Sequence, residues 1–315
     1  MAKINGVLGP VETEQLGFTL MHEHILVANW AMRQSFAHWI DVDSHVEFAA
    51  GEVESAKERG VQTLVDLTPI NLGRDIDVIR RVAERAEMQV IAATGFYWHE
   101  EPFLQGWEAD RLVEFLLPDI ERGIQGTDVK AGIIKCATDH LGVTELNRKL
   151  LQVAARLHRA SGVPISTHTA VAHHTGPAQQ DVFAEEGVDL GRVVIGHCGD
   201  TEDVEHLEAI LARGSFIGMD RFGLNMMLPM EKRVSTVAEL CRRGHAERMV
   251  LSHDACCHID WFPAEAMRAA TPQWNFRHIP DDVIPALRKE GVSEEHIRAM
   301  TVDNPRRIFE QQGGY

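Results

Sequence analysis

Six side chains in this sequence have the types and positions of metal ligands. His22 and His24 lie two residues apart in GFTLMHEHI (17–25). On a β-strand, residues so spaced face the same way, so both imidazoles can reach one point while Glu23 faces the other side. Lys135 lies in AGIIKCATD (131–139), His168 in STHT (166–169), His197 in VVIGHCGD (193–200) and Asp254 in LSHDACC (251–257). Singly, each has an ordinary reading: a hydrogen-bonded strand-end histidine, a lysine stem reaching solvent, an aspartate capping the next segment. Together they fall at or near the C-terminal ends of five separate apolar runs. Imidazole with carboxylate is a donor set that suits zinc, and equally cobalt, manganese or iron.

Lys135 fits such a site only when it is not an ammonium, because two divalent cations repel a third positive group. A neutral amine adds carbon dioxide to give a carbamate, an anion whose two oxygens can bridge two metals. An N6-carboxylated Lys135 between two divalent ions is therefore expected.

The elements that must position these residues alternate. Apolar or β-branched runs occupy 18–25, 61–68, 89–95, 129–138, 163–169, 192–198, 215–220 and 248–254. Helical patterns lie between them at 46–59, 74–87, 109–122, 145–160, 179–186, 204–212 and 231–242, several stopped by a glycine such as Gly60, Gly162, Gly187 or Gly214. Strands alternating with helices predict a parallel sheet. Eight such units predict an α/β fold of the (β/α)8 TIM-barrel type, with an open doubly wound sheet as the alternative. No Gly-x-Gly-x-x-Gly follows the first run, so the usual dinucleotide signal is missing. In a barrel the ligand-bearing strand ends form the C-terminal face, where active sites are built. The binuclear centre is expected there. One domain is expected over 1–315, with 1–17 as an N-terminal extension forming a short hairpin, and about 255–315 as a long last loop and C-terminal helices. Asp303–Phe309 reads as an Asp-x-Pro helix start.

Composition narrows the partners. The chain has 315 residues, 44% hydrophobic and 25% charged, with 31 Lys and Arg against 47 Asp and Glu, a net charge of −16. So acidic a surface repels phosphate backbones and anionic lipid, so neither nucleic acid nor membrane is expected as a partner. Five cysteines, an odd and sparse set, do not form a disulfide framework. With no apolar signal core at the start and no membrane-length apolar run, a soluble cytoplasmic protein is expected.

The matching segments, from GFTLMHEHI (17–25) through AGIIKCATD, STHT, VVIGHCGD, GMDRFG (218–223) and LSHDACC to DNPRRIF (303–309), resemble the phosphotriesterase family of the amidohydrolase superfamily. The resemblance is closer to its phosphotriesterase-like lactonase branch. It implies that His22, His24 and Asp254 hold the more buried metal. His168 and His197 hold the more exposed one, and carboxylated Lys135 and a hydroxide bridge the two. It also implies catalytic positions for Tyr97, after the third run, and Arg221, after the seventh. Their ordinary readings are a rim aromatic packing a loop and a surface ion pair with a carboxylate such as Asp220. By the same resemblance the bridging hydroxide attacks a lactone carbonyl, Tyr97 orients the substrate, and Asp254 carries a proton to the leaving alkoxide. Trp98, Phe103, Trp107, Phe222, Met226, Met227, Trp261, Phe262 and Trp274 are candidates for an apolar wall that would suit an acyl chain; they could equally pack helices or a subunit interface.

The function implied is a lactonase opening N-acyl-homoserine lactones, which would quench such signals, with weak phosphotriesterase activity. The alternatives are a lactonase for simple γ- or δ-lactones and a dedicated phosphotriesterase (aryldialkylphosphatase). A homodimer is implied as well. A one-metal deaminase would want a glutamate shortly after His168, and HTAVAHH has none. A non-catalytic barrel would have lost ligands, and all six positions are filled. His173 and His174 follow the fifth run and could line the pocket, but read rather as loop residues. His253 should face away from Asp254. Nothing in their spacing marks Cys256 or Cys257 as a nucleophile.

Overall fold

Strands buried on both faces read as near-continuous apolar runs. The segment QVIAATG is an example, with every residue after the first buried. The structure, a computed structural model, describes residues 2–310 and 313–315. Its eight-stranded sheet consists of β1 (Phe18–Glu23), β2 (Val61–Asp66), β3 (Gln89–Gly95), β4 (Ile133–Ala137), β5 (Ile165–His168), β6 (Val193–Ile195), β7 (Phe216–Met219) and β8 (Met249–Leu251). Neighbours in sequence pair in parallel all the way round, from Leu20 opposite Leu64 to Ile217 opposite Met249. Between them lie α1 (Val42–Lys57), α2 (Ile76–Ala86), α3 (Ala109–Glu121), α4 (Glu145–Ser161), α5 (Thr175–Glu185), α6 (Val204–Ala212) and α7 (Met230–Arg242). The (β/α)8 barrel is the fold, and the open sheet is excluded.

The seam between β8 and β1 is closed beyond the strand ends. Asp254 N–H donates to His22 O at 2.9 Å, His24 N–H to Ala255 O at 2.9 Å and Cys257 N–H to His24 O at 3.0 Å. Glu23 clamps this seam from the other side of β1. It is 1% exposed. Its carboxylate accepts from Ser252 Oγ (2.8 Å), His253 N–H (3.0 Å) and Ala255 N–H (2.9 Å), and it meets His253 Nδ1 at 2.6 Å.

One apolar cluster fills the barrel's lower interior, with Met21, Val65, Ile91, Ile133, Val194, Phe216 and Val250, and is plugged by Ile308 and Phe309. A larger cluster lies between the sheet and the helices. Each such side chain contributes about 1.5–3 kcal/mol on full burial.

Most expected strands are trimmed at their ends. The run 192–198 keeps only Val193–Ile195, because His197 turns into a left-handed conformation (φ 60°). Residues 129–132 serve other partners: Ala131 N–H bonds Asp119 O, and Gly132 N–H bonds Ala92 O. Helix α1 begins earlier than the apolar pattern, at Val42, since Asp41 caps it by accepting from Ser44 N–H. The expected N-terminal hairpin pairs Lys3–Ile4 with Val11–Glu12. After β8 come a long loop and the helices Ala264–Ala270, Ile284–Lys289, Glu294–Arg298 and Asn304–Glu310. The last does not start afresh at Asp303: a wide π-type turn, Ala299–Asp303, joins it to the helix before. Pro305 has no N–H for an ordinary α-helical bond there. All five cysteines are free thiols. Among the described residues no helix is long and apolar enough to cross a membrane.

Candidate metal centre

The C-terminal strand ends bring the six expected ligands into one buried cluster. Lys135, His22 and His168 are on β4, β1 and β5; His24, His197 and Asp254 lie just past β1, β6 and β8. His22 Nε2 is 2.9 Å from Lys135 Nζ and 3.4 Å from Asp254 Oδ1. His24 Nε2 is 3.0 Å from Asp254 Oδ1. On the other flank, His168 Nδ1 and His197 Nε2 are 2.8 Å apart, and His197 Nε2 is 3.8 Å from Asp254 Oδ2. Asp254 thus spans both groups of imidazoles. His22, His24 and Asp254 offer three donor atoms close enough to share one ion.

The backbone is bent to achieve this. His197 and Asp254 both have positive φ, 60° and 54°, a left-handed conformation uncommon for non-glycine residues, though His and Asp adopt it more readily than most. Gly95 (φ 126°) lies so close to β4 that a Cβ there would stand 2.0 Å from Lys135 O.

Each imidazole aims one nitrogen at the cluster and hands the other to a partner. His22 Nδ1 meets Asp220 Oδ2 at 2.8 Å, and His197 Nδ1 meets Asp220 Oδ1 at 3.0 Å. Thr68 Oγ1 is 2.8 Å from His24 Nδ1, and Asp139 Oδ2 is 2.7 Å from His168 Nε2. Metal-ligating histidines are held in this way, with the far nitrogen fixed so that the near lone pair is free. The donor set therefore fits divalent metal. Asp220 also groups with His22 and His197, but it faces the outer edge of both rings, so it orients them.

Burial sets the charge states. It holds His22, His168 and His197 below the ordinary imidazole range, so the rings are neutral donors. Burial would raise Asp254, but its imidazole neighbours, with the hydrogen bond from His24, and the Arg221 guanidinium hold the carboxyl well below its usual range. Lys135, 1% exposed, is pushed down to about 8, mainly by burial, so a neutral amine is within reach.

Tyr97 and Arg221 stand at the mouth of this cluster. Tyr97 Oη is 3.3 Å from His168 Nδ1, and burial pushes its phenol up, so it is a hydrogen-bond donor. Arg221 is not a surface residue paired with Asp220. Its Nε donates to Asp254 Oδ2 and its Nη1 to Asp200 Oδ2, both at 2.9 Å. Asp220 is occupied by the two imidazoles instead.

A cavity of about 650 Å³ opens above, walled by Val27, Leu72, Leu224, Ile259 and Met267 together with the expected Met226, Met227, Trp261, Phe262 and Trp274. Four other expected wall residues are elsewhere. Phe103 and Trp107 line a separate hollow beside α3, Phe222 is core, and Trp98 packs on His99 and His140. His173 reaches the cavity. Cys256 lines it too, with its thiol raised well above the ordinary value by burial, so it is a wall group and no nucleophile. His253 faces Glu23, away from the cluster.

Sequence reading picked out the inward-facing side chains that the structure brings together and missed the residues that hold them: Asp139, Thr68, Asp200 and Glu23, and the contacts of Asp220 with two imidazoles. A strand-end Asp or Thr carries no distinguishing spacing. The available signal was position alone, since Thr68, Asp139 and Asp220 all follow barrel strands directly.

The profile of the Phosphotriesterase family matches residues 2–309. This chain belongs to the phosphotriesterase family. That places it in the amidohydrolase superfamily, and its enzymes are hydrolases that use a binuclear divalent metal centre. The chain is 48% identical to a phosphotriesterase homology protein of Mycobacterium tuberculosis, covering 100% of both chains. It is 39% identical to an aryldialkylphosphatase of Saccharolobus solfataricus, over 95% of this chain and 96% of the relative. The solved structure of the phosphotriesterase from Mycobacterium tuberculosis superposes with a TM-score of 0.97 at 47% identity, covering 99% of this chain and 100% of that one.

Proposed function

We propose that this phosphotriesterase-family hydrolase is a lactonase acting on N-acyl-homoserine lactones, with phosphotriester hydrolysis as a weak side activity. The observation that carries the reading is the buried Tyr97 hydroxyl, 3.3 Å from the cluster-facing nitrogen of His168. A donor so placed can hydrogen-bond an ester group seated at the centre. The mostly apolar cavity of about 650 Å³ leaves room for an acyl chain, and its methionines and aromatics suit one.

His22, His24 and Asp254 would hold one metal, zinc being the expected ion, and His168 and His197 the other, with Lys135 carboxylated between them. The lowered Lys135 amine supports the carbamate, which forms as the amine adds carbon dioxide and releases a proton. Bound there, the metal pair supplies a water nucleophile of lowered pKa and polarises the carbonyl. The chain's own groups do the rest. Tyr97 donates to the lactone and fixes its orientation. Asp254 Oδ1, beside His22 and His24, accepts the proton of the attacking water and returns it to the leaving alkoxide. Arg221 keeps Asp254 ionised and aimed by holding Oδ2. The leaving group stays tethered, so the product is one hydroxy acid.

The second reading, a dedicated phosphotriesterase, is favoured by the relative named aryldialkylphosphatase. The discriminating experiment compares kcat/KM of the zinc-loaded enzyme for a long-chain N-acyl-homoserine lactone, a simple γ-lactone and paraoxon. The proposal expects the first to be highest, and Tyr97→Phe to lower lactone turnover more than paraoxon turnover. A γ-lactone or paraoxon preferred clearly would replace it. We also propose a homodimer; sedimentation as a monomer at micromolar concentration would overturn that.

A further inference from the structure

A second pair of histidines faces each other outside the catalytic cluster. His174 follows the turn Val171–His173 that leaves β5, and His206 lies in the first turn of α6. Their Nδ1 atoms are 3.3 Å apart, and the ring planes cross at 71°. That separation is at the long end for a hydrogen bond between two ring nitrogens. It matches a metal bite: two bonds of about 2.0–2.1 Å opened at the tetrahedral angle put their nitrogens about 3.3–3.4 Å apart.

The two rings are carried on fixed backbone. Asp203 caps α6 by accepting from His206 N–H at 3.0 Å, which sets the start of that helix. His174 has a left-handed conformation (φ 51°) at the entry to α5. His174 is exposed and His206 half-buried, so an ion can enter and solvent can complete its shell. A chain of net charge −16 also raises the local concentration of cations.

We propose that His174 and His206 form a peripheral site for nickel or copper, ions that two imidazoles suit, separate from the catalytic cluster. Coordination uses both Nδ1 lone pairs, and each ring keeps its proton on Nε2. The ion ties the loop after β5 to helix α6, across 32 residues of sequence. Because the neighbouring His173 lines the catalytic cavity, occupancy would stiffen that wall. The inference does not depend on the lactonase reading.

The test is equilibrium dialysis of the zinc-loaded full-length protein against Ni²⁺, with zinc content measured before and after. Wild type and the control His38→Asn, an exposed single histidine, should take up one nickel without losing zinc. His174→Asn and His206→Asn should each bind it at least tenfold more weakly, and Mg²⁺ should not compete. Copper EPR on the same proteins should show two coupled nitrogens in wild type and one in either variant. Nickel binding unchanged in either variant, or nickel uptake matched by zinc release, would overturn the proposal.

Discussion

Asp220 touches two imidazoles at once, across 198 residues of sequence to His22 and 23 to His197. Neither partner could be inferred from spacing, which is why it escaped a reading that singled out the clustered side chains. Those were legible because a ligand must sit on an inward strand end, and the pattern repeats from strand to strand. Their clamps are set by three-dimensional contact alone. Asp220→Asn should lower metal affinity about 10–100-fold while the fold survives, measured by competition with a chromophoric chelator. The histidines themselves make a pH prediction. Burial lowers their folded pKa below the unfolded value of 6.5, so the unfolded chain takes up protons first. Their contribution to stability is complete above about pH 6.5 and is lost as pH falls below it. Urea unfolding of metal-stripped protein from pH 8 to 5 should show stability declining below that point. A rise would contradict neutral, buried rings.

At the scale of elements, the seam between β1 and the segment after β8 joins fold to function. It carries His22, His24 and Asp254 on one face and the Glu23 clamp on the other. Strand order and helix stops were readable in advance: Gly60, Gly162, Gly187 and Gly214 all have the positive φ that a helix stop needs. The seam was not, because after Leu251 the chain leaves the regular ladder and is held by a few backbone bonds to His22 and His24 together with the Glu23 carboxylate. In Glu23→Gln an amide NH2 would confront N–H groups that now meet an oxygen. The expected cost is about 3 kcal/mol in urea unfolding, with lower metal occupancy as His22 and His24 shift. A change within error would show that the strand bonds alone close the barrel.

For the whole molecule, sequence gave the barrel, the face and an apolar pocket, but it could not divide the aromatics among cavity, core and side hollow. Loop aromatics carry no periodicity, so Phe103 and Trp107 looked no different from Trp261 until the chain was folded. Because the cluster's side chains come from five strands, ions bound there would link most of the barrel. Ions held at about 1,000 times their Kd add about 4 kcal/mol to stability, so removing them by chelation should lower the melting temperature and zinc should restore it. An unchanged melting temperature would mean that the cluster binds no ion.

The most direct measurement adds zinc stepwise to chelator-treated wild type and to Lys135→Ala, following bound metal and hydrolysis of a long-chain N-acyl-homoserine lactone together. The expected result is two ions per wild-type chain, lactone opening that rises with the second, and a variant that loses both that ion and the activity. Two ions bound with no lactone opening, or a Lys135→Ala enzyme that keeps both, would contradict it.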